Sequence, residues 1–156
     1  AVERTGDVLP YALRKIRILN GAHTALVSHT RGGPFTYVRQ AMDDPATAAW
    51  LESLMLDELV PALGDRIVDG AAFAHTVLER FRNPFLDHRL ADIAVHHDQK
   101  LAIRLAPTAA AYRARFGREP RLHHDVGVDR QYEQPPPHDG AEQDGDQGAL
   151  GRTTGG

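Results

Sequence analysis

Lys15-Ile-Arg-Ile-Leu-Asn20-Gly-Ala-His23-Thr-Ala-Leu-Val27 places an ammonium, an amide and an imidazole in a segment otherwise built for burial. Taken as one helix at about 100° per residue, Ile16, Ile18, Leu19, Ala22, Ala25, Leu26 and Val27 cover most of the circumference. That is the pattern of a helix packed on nearly all sides. Lys15, His23 and Asn20 fall in that order across an arc of about 140°, with roughly 12 Å of axial rise from Lys15 to His23. The three are too far apart to bond one another. They can still converge on a ligand beside the helix, because Lys is long and helical side chains lean toward the N-terminus. A lysine buried without a partner loses proton affinity, which makes it a general base near neutrality. The same residues also fit an ordinary helix: Lys15 with Arg14 and Arg17 as a solvated basic edge, Asn20-Gly21 as a C-cap or turn, and His23 as a satisfied core histidine. Spacing alone favours that plainer account.

Outward from this stretch, helical signals dominate. The first helix is expected from about Leu9 to His29, ended by Arg31-Gly-Gly-Pro34, and a short one from about Thr36 to Met42. Asp44 reads as an N-cap with Pro45 at the first helical position. The helix it opens carries Trp50, Leu51, Leu54, Met55, Leu56, Leu59 and Val60 on its apolar side, and Pro61 is its expected limit. Phe73, Val77, Leu78 and Phe81 predict a helix over Gly70–Arg82, broken by Asn83-Pro84. Further helices are expected over Leu86–Val95, around Lys100–Arg104, and from Pro107 to Arg115 with Gly117 as the stop. No segment alternates like a strand. From about His123, Gln, Asp, Gly and Pro dominate, and Pro135-Pro-Pro137 interrupts any helix. The expected division is a helical domain over residues 1–121 and a disordered, low-complexity tail over 122–156.

At 156 residues the chain has room for one domain, and 42% hydrophobic with 25% charged residues is ordinary globular composition. A net charge of -3 gives no reason to expect nucleic acid or an anionic membrane as partner. The absence of cysteine removes disulfides and a thiolate nucleophile and fits a cytoplasmic protein. No apolar run reaches transmembrane length. His96-His97 and His123-His124 are adjacent pairs that diverge on a helix, with no H-x3-H or H-E-x2-H spacing, so they are read as solvated and no metal is expected. Gly32-Gly33-Pro34 reads as a turn, and no G-x-G-x-x-G follows a strand-like run.

A second block follows the first at a distance: Glu79-Arg-Phe-Arg-Asn83-Pro-Phe-Leu-Asp-His88-Arg-Leu-Ala-Asp-Ile-Ala94, then Lys100 and Arg104. With Tyr11-Ala-Leu-Arg-Lys15-Ile-Arg-Ile-Leu-Asn20-Gly-Ala-His23-Thr, it resembles the long-chain mannitol dehydrogenase family, which includes mannitol 2-dehydrogenase, mannitol-1-phosphate dehydrogenase, and the tagaturonate and fructuronate reductases. The resemblance runs from about Leu9 to Pro107 and more weakly to Pro120. It implies an all-α, multi-helical C-terminal domain of the kind found in 6-phosphogluconate dehydrogenase, preceded in family members by a Rossmann domain that binds most of the NAD. This chain then reads as the C-terminal part of a longer enzyme, or as a gene fragment, and alone it is expected to show no turnover.

The resemblance also implies roles. Lys15 is the general acid/base that exchanges a proton with the substrate oxygen, and Asn20 and His23 bind that oxygen or its neighbours, where hydride transfer needs a base and hydrogen-bond donors. Lys100 and Arg104, one helical turn apart, suit a sugar-acid carboxylate or equally a solvated face. His88 and Asn83 line the cleft, though an Asn before Pro is also a common helix terminator, the role favoured for Asn83. Arg80 and Arg82 are expected to pair with nearby acids. The mannitol 2-dehydrogenase branch holds its polyol with an Arg and a His that align with Asp92 and Val95 here. Both contacts are lost, and the wording of the two blocks is more similar to the tagaturonate reductase branch, whose substrates are altronate and tagaturonate. The competing reading is a non-catalytic remnant that serves as a binding or interaction module.

Overall fold

The computed structural model describes residues 8–128. The long helix at the centre is continuous over residues 9–30 but not uniform. α1 (Leu9–Arg14) passes into a π turn (Lys15–Asn20) and then into α2 (Gly21–Thr30). In the π turn the chain takes up an extra residue: Gly21 N–H donates to Ile16 O, five residues back, as well as to Ile18 O. α2 is the hub, packing against α4 (Pro45–Leu54), α7 (Leu90–Ile93), α8 (His97–Arg104) and α10 (Leu122–Asp125). Ile18, Leu26, Leu51, Leu54, Met55, Leu59, Leu78 and Leu105 form the sealed interior around it.

The local signals that start the shorter helices act as their chemistry dictates. Gln40 Oε1 accepts from Thr36 N–H and Tyr37 N–H and opens α3 (Val38–Asp43). Asp44 accepts from the Thr47 N–H at 3.0 Å and its hydroxyl at 2.6 Å, the expected N-cap of α4. Beyond α4 the helix does not stop at Pro61. A second π turn (Met55–Leu59) leads into α5 (Val60–Leu63), and Val60 N–H donates five residues back to Met55 O. The proline ring therefore follows a wide turn, where the regular i−4 bond it would abolish is already displaced. The two π turns pack against each other.

α6 (Gly70–Phe81) ends at Asn83-Pro84 as expected. The helix expected over Leu86–Val95 shortens to α7, because residues 86–89 are drawn into extended pairing. Val38 N–H donates to His88 O at 2.9 Å, Leu90 N–H to Thr36 O at 3.0 Å, and Tyr37 and Arg89 form an isolated antiparallel bridge. Among the described residues there is no strand, and the all-α expectation holds. α8 is followed by α9 (Ala106–Phe116), which stops at Gly117 with a positive φ of 67°.

Order continues past the boundary drawn at Arg121. Leu122, Val126 and Val128 are buried in the common core. The anchor is Glu58, only 4% exposed, whose carboxylate accepts from Arg121 N–H at 2.7 Å, Arg121 Nε at 3.1 Å and Leu122 N–H at 3.3 Å. The rest of the expected tail lies outside the described residues. No helix among them is long and apolar enough to cross a membrane.

Candidate active site

The long helix carries the three residues of the first block in succession. Lys15 opens the π turn, Asn20 closes it, and His23 sits in the first turn of α2. Lys15 is exposed, and Ile16 beside it is 38% exposed, so the helix is not packed on all sides at this point. The apolar residues of its N-terminal half (Val8, Leu9, Tyr11, Ile16) lie largely at the surface, while burial begins in earnest at Ile18. The periodicity identified a helix with apolar residues all round; deep burial is confined to its C-terminal half, with Leu13 packed against the core from the N-terminal half. Asn20 is half-buried, and its amide makes no side-chain hydrogen bond to the described residues.

His23 is where the two sequence blocks meet. Its ring stacks on Phe81 of α6 with centroids 4.3 Å apart and 17° between planes, and lies 5.8 Å from the His88 ring. His88 is presented by the extended residues that pair with Thr36–Val38. From the other side come two cations of α8. Arg104 Nη1 donates to Thr24 Oγ1 at 3.3 Å, and Lys100 Nζ donates to Ile93 O at 2.7 Å. Gly21 lets this side close up: a Cβ there would stand 3.2 Å from Leu105 Cδ2 and 3.4 Å from Arg104 O. A larger residue would push the end of α8 away from the helix that bears His23.

The electrostatics follow from this packing. Burial first, and then the neighbouring His88, Arg104, Arg80 and Lys100, hold the His23 imidazole at about 4 against its ordinary 6.5. His23 is therefore neutral at physiological pH, with one ring nitrogen able to donate and the other to accept. Burial and the adjacent Arg104 lower the proton affinity of Lys100, and burial lowers that of Arg104. Among the described residues no carboxylate forms a salt bridge with Arg80, Lys100 or Arg104. An uncompensated cluster of cations beside a neutral imidazole and a free amide suits a ligand with an anionic group and several hydroxyls.

The remaining assignments divide. Asn83 Oδ1 accepts from Phe85 N–H at 2.9 Å, a local turn that shapes the loop after α6 and occupies that oxygen. Asp92 and Val95, aligned with the lost polyol contacts, are both exposed. Arg82 pairs with Glu52 at 3.8 Å, as expected of it, but Arg80 finds no acid and stands with the cations around His23. His97 is not solvated: it is 8% exposed and joined to Ser28 Oγ by a 2.7 Å hydrogen bond through Nε2. The His-His spacing held no information on which ring turns inward. No group of three His, Cys, Asp or Glu among the described residues is placed to hold a metal ion.

Residues 7–147 match the sequence family described as the mannitol dehydrogenase C-terminal domain. The altronate oxidoreductase of Pectobacterium carotovorum subsp. carotovorum is 40% identical over 114 residues, which is 73% of this chain and 23% of that protein. That of Yersinia enterocolitica is 39% identical over the same share of this chain and 24% of its own length. The chain thus spans about a quarter of the length of the curated relatives it matches. Among solved structures, the ternary complex of Pseudomonas fluorescens mannitol 2-dehydrogenase with NAD and D-mannitol superposes with a TM-score of 0.65 at 28% identity, over 82% of this chain and 26% of that one. Substrate-free D-sorbitol dehydrogenase shares the fold, with a TM-score of 0.61 at 23% identity over 67% of this chain and 22% of that one. With most of its residues matched by the family description and its helices superposing on a member of known structure, the chain belongs to the mannitol dehydrogenase C-terminal domain family.

Proposed function

We propose that this chain is the substrate-binding and proton-transferring domain of an NAD-dependent oxidoreductase that interconverts a sugar acid, altronate or a close aldonate, and its keto form. The observation that carries the reading is the uncompensated cation cluster of Lys100, Arg104 and Arg80 around a neutral His23, with the His88 ring beside it. A neutral polyol has no use for such a field, whereas a carboxylate does. The exposed Asp92 and Val95 in place of polyol contacts agree with it, as do the altronate oxidoreductases among the relatives.

NAD, when bound, accepts the hydride from the alcohol carbon. The described residues of this chain offer no glycine-rich strand-to-helix turn for its pyrophosphate, and so the cofactor's grip is assigned to a nucleotide-binding domain elsewhere in the enzyme. The work left to this chain is proton transfer and orientation. Lys15 takes the hydroxyl proton during oxidation and returns it during reduction, while Asn20 and His23 hold the oxygen on which charge develops. Lys100 and Arg104 hold the carboxylate, with His88 beside them. Asn83 contributes by shaping the loop that precedes His88.

Lys15 is exposed on this domain. Tyr11 and Ile16 beside it are also exposed, and the nucleotide-binding domain is expected to close over this end of the helix. This reading requires neither nucleic acid nor a membrane, and a cytoplasmic setting fits it. Steady-state kinetics of the enzyme carrying this domain, across altronate, mannonate, mannitol and mannitol 1-phosphate, test it. Altronate or mannonate should have the highest kcat/KM, and a preference for mannitol would overturn the substrate assignment.

A further inference from the structure

Arg80 is placed by two neighbours on α6 and its end. Phe81, the next residue, stacks on His23 and fixes the last turn of α6 against the site. Arg82, two residues on, reaches away to Glu52 on α4. Residues two apart on a helix point about 200° apart, so Arg80 is directed to the opposite flank of Phe81 from the Arg82–Glu52 pair. It has no salt-bridge partner among the described residues. Its charge is felt at His23 together with those of Lys100 and Arg104. Arg80 is exposed and adds its charge beside His23 to those of Lys100 and Arg104, with no acid bridged to any of the three among the described residues. Such an arrangement is stabilised when an anion is bound.

We propose that Arg80 is a further specificity-determining residue, which meets the anionic end of the substrate from the α6 side of the cleft while Lys100 and Arg104 meet it from α8. The inference rests on the sugar-acid reading above and adds to it a residue and a direction of approach. The guanidinium presents a planar fork to a carboxylate or a phosphate, whereas the Lys100 ammonium is a point charge. Arg80 thereby favours an acid-terminated or phosphate-terminated substrate over a neutral polyol of the same length.

The test compares wild type, Arg80→Gln, Arg80→Lys and Arg82→Gln in the enzyme that carries this domain, with altronate, mannitol 1-phosphate and mannitol as substrates. Arg80→Gln should raise the KM for altronate roughly tenfold or more, the loss of one charge-assisted hydrogen bond, while kcat stays within about twofold. The KM for mannitol should not move. Arg80→Lys should recover part of the loss, and Arg82→Gln should leave the KM unchanged. Mannitol 1-phosphate separates the two anion sources: an equal effect on it assigns Arg80 to any anionic terminus, and an effect on altronate alone assigns it to the carboxylate. Where altronate is not turned over, its inhibition constant replaces KM. A merely structural role would move kcat and the mannitol KM as well, and that result, or an unchanged altronate KM, overturns the proposal. The wild-type ratio of altronate to mannitol reports on the sugar-acid reading separately, because it does not depend on the variants.

Discussion

Acidification from neutrality to about pH 4 discriminates between the two protonation states of His23. The native state holds this imidazole at about 4, whereas the unfolded chain restores it to the ordinary 6.5. Between those values the unfolded state binds a proton that the folded state refuses, so stability must fall as pH drops through this window and level off below it. At about 1.4 kcal/mol per unit the full effect is about 3 kcal/mol, a large part of the stability of a small domain. Carboxylates titrate in the same range, so the measurement is a difference. Urea unfolding of wild type and of His23→Gln, followed at a series of pH values, isolates the histidine's share. The Gln variant loses its stack on Phe81 at every pH, which offsets the two curves by a constant. The stability of wild type relative to the Gln variant should then fall as the pH drops, by about 3 kcal/mol in all. Parallel curves down to pH 4, or an NMR titration of the His23 ring with a midpoint near 6.5, would refute the packing and the cation cluster as the source of the depression.

Lys15→Ala in the enzyme carrying this domain should lower kcat by roughly 10²–10⁴-fold, the range for removing one acid/base group, with cofactor affinity unchanged. A near wild-type kcat with an unaltered pH profile would return Lys15 to the surface and make His23 the next candidate. Glu58→Ala should destabilise the fold by about 3 kcal/mol, from lost charge-assisted hydrogen bonds and a buried Leu122 N–H left without a partner. Most of this lies in the backbone donors, since the Arg121 side chain is 43% exposed and its ion pair is well screened. A change under about 1 kcal/mol by urea unfolding would show that water satisfies these donors as well as the carboxylate does.

The elements whose causes are local were legible in the sequence. Asp44-Pro45 capped and opened α4, Gly117 stopped α9, and the apolar spacing in Gly70–Phe81 needed no tertiary knowledge. The failures each involve a contact from elsewhere. Leu86–His88 looked helical and became extended because Thr36–Val38 supply backbone partners. Pro61 looked like a limit because a π turn leaves no mark in hydrophobic periodicity. Residues 122–128 looked too polar to order, and a single buried carboxylate 64 residues before Leu122, in α4's continuation, reverses that. The roles proposed for Lys15, Asn20 and His23 rest on their resemblance to a motif, since their spacing alone favours a common helix. Arg80 and Arg82 were both expected to pair with acids, and sequence could not show that Glu52 takes only Arg82.

The π turn at Lys15–Asn20 makes the site a matter of phase as well as composition. One surplus residue lies between the half of the helix that bears Lys15 and the half that bears His23. Each residue added or removed there turns one half against the other by about 100°. A single-codon deletion within the turn would thus preserve every functional side chain while aiming the lysine at a different quadrant. Insertions and deletions at this point offer a coarse rotary adjustment of Lys15, the proposed proton-transferring group, which point substitutions in the cleft do not provide.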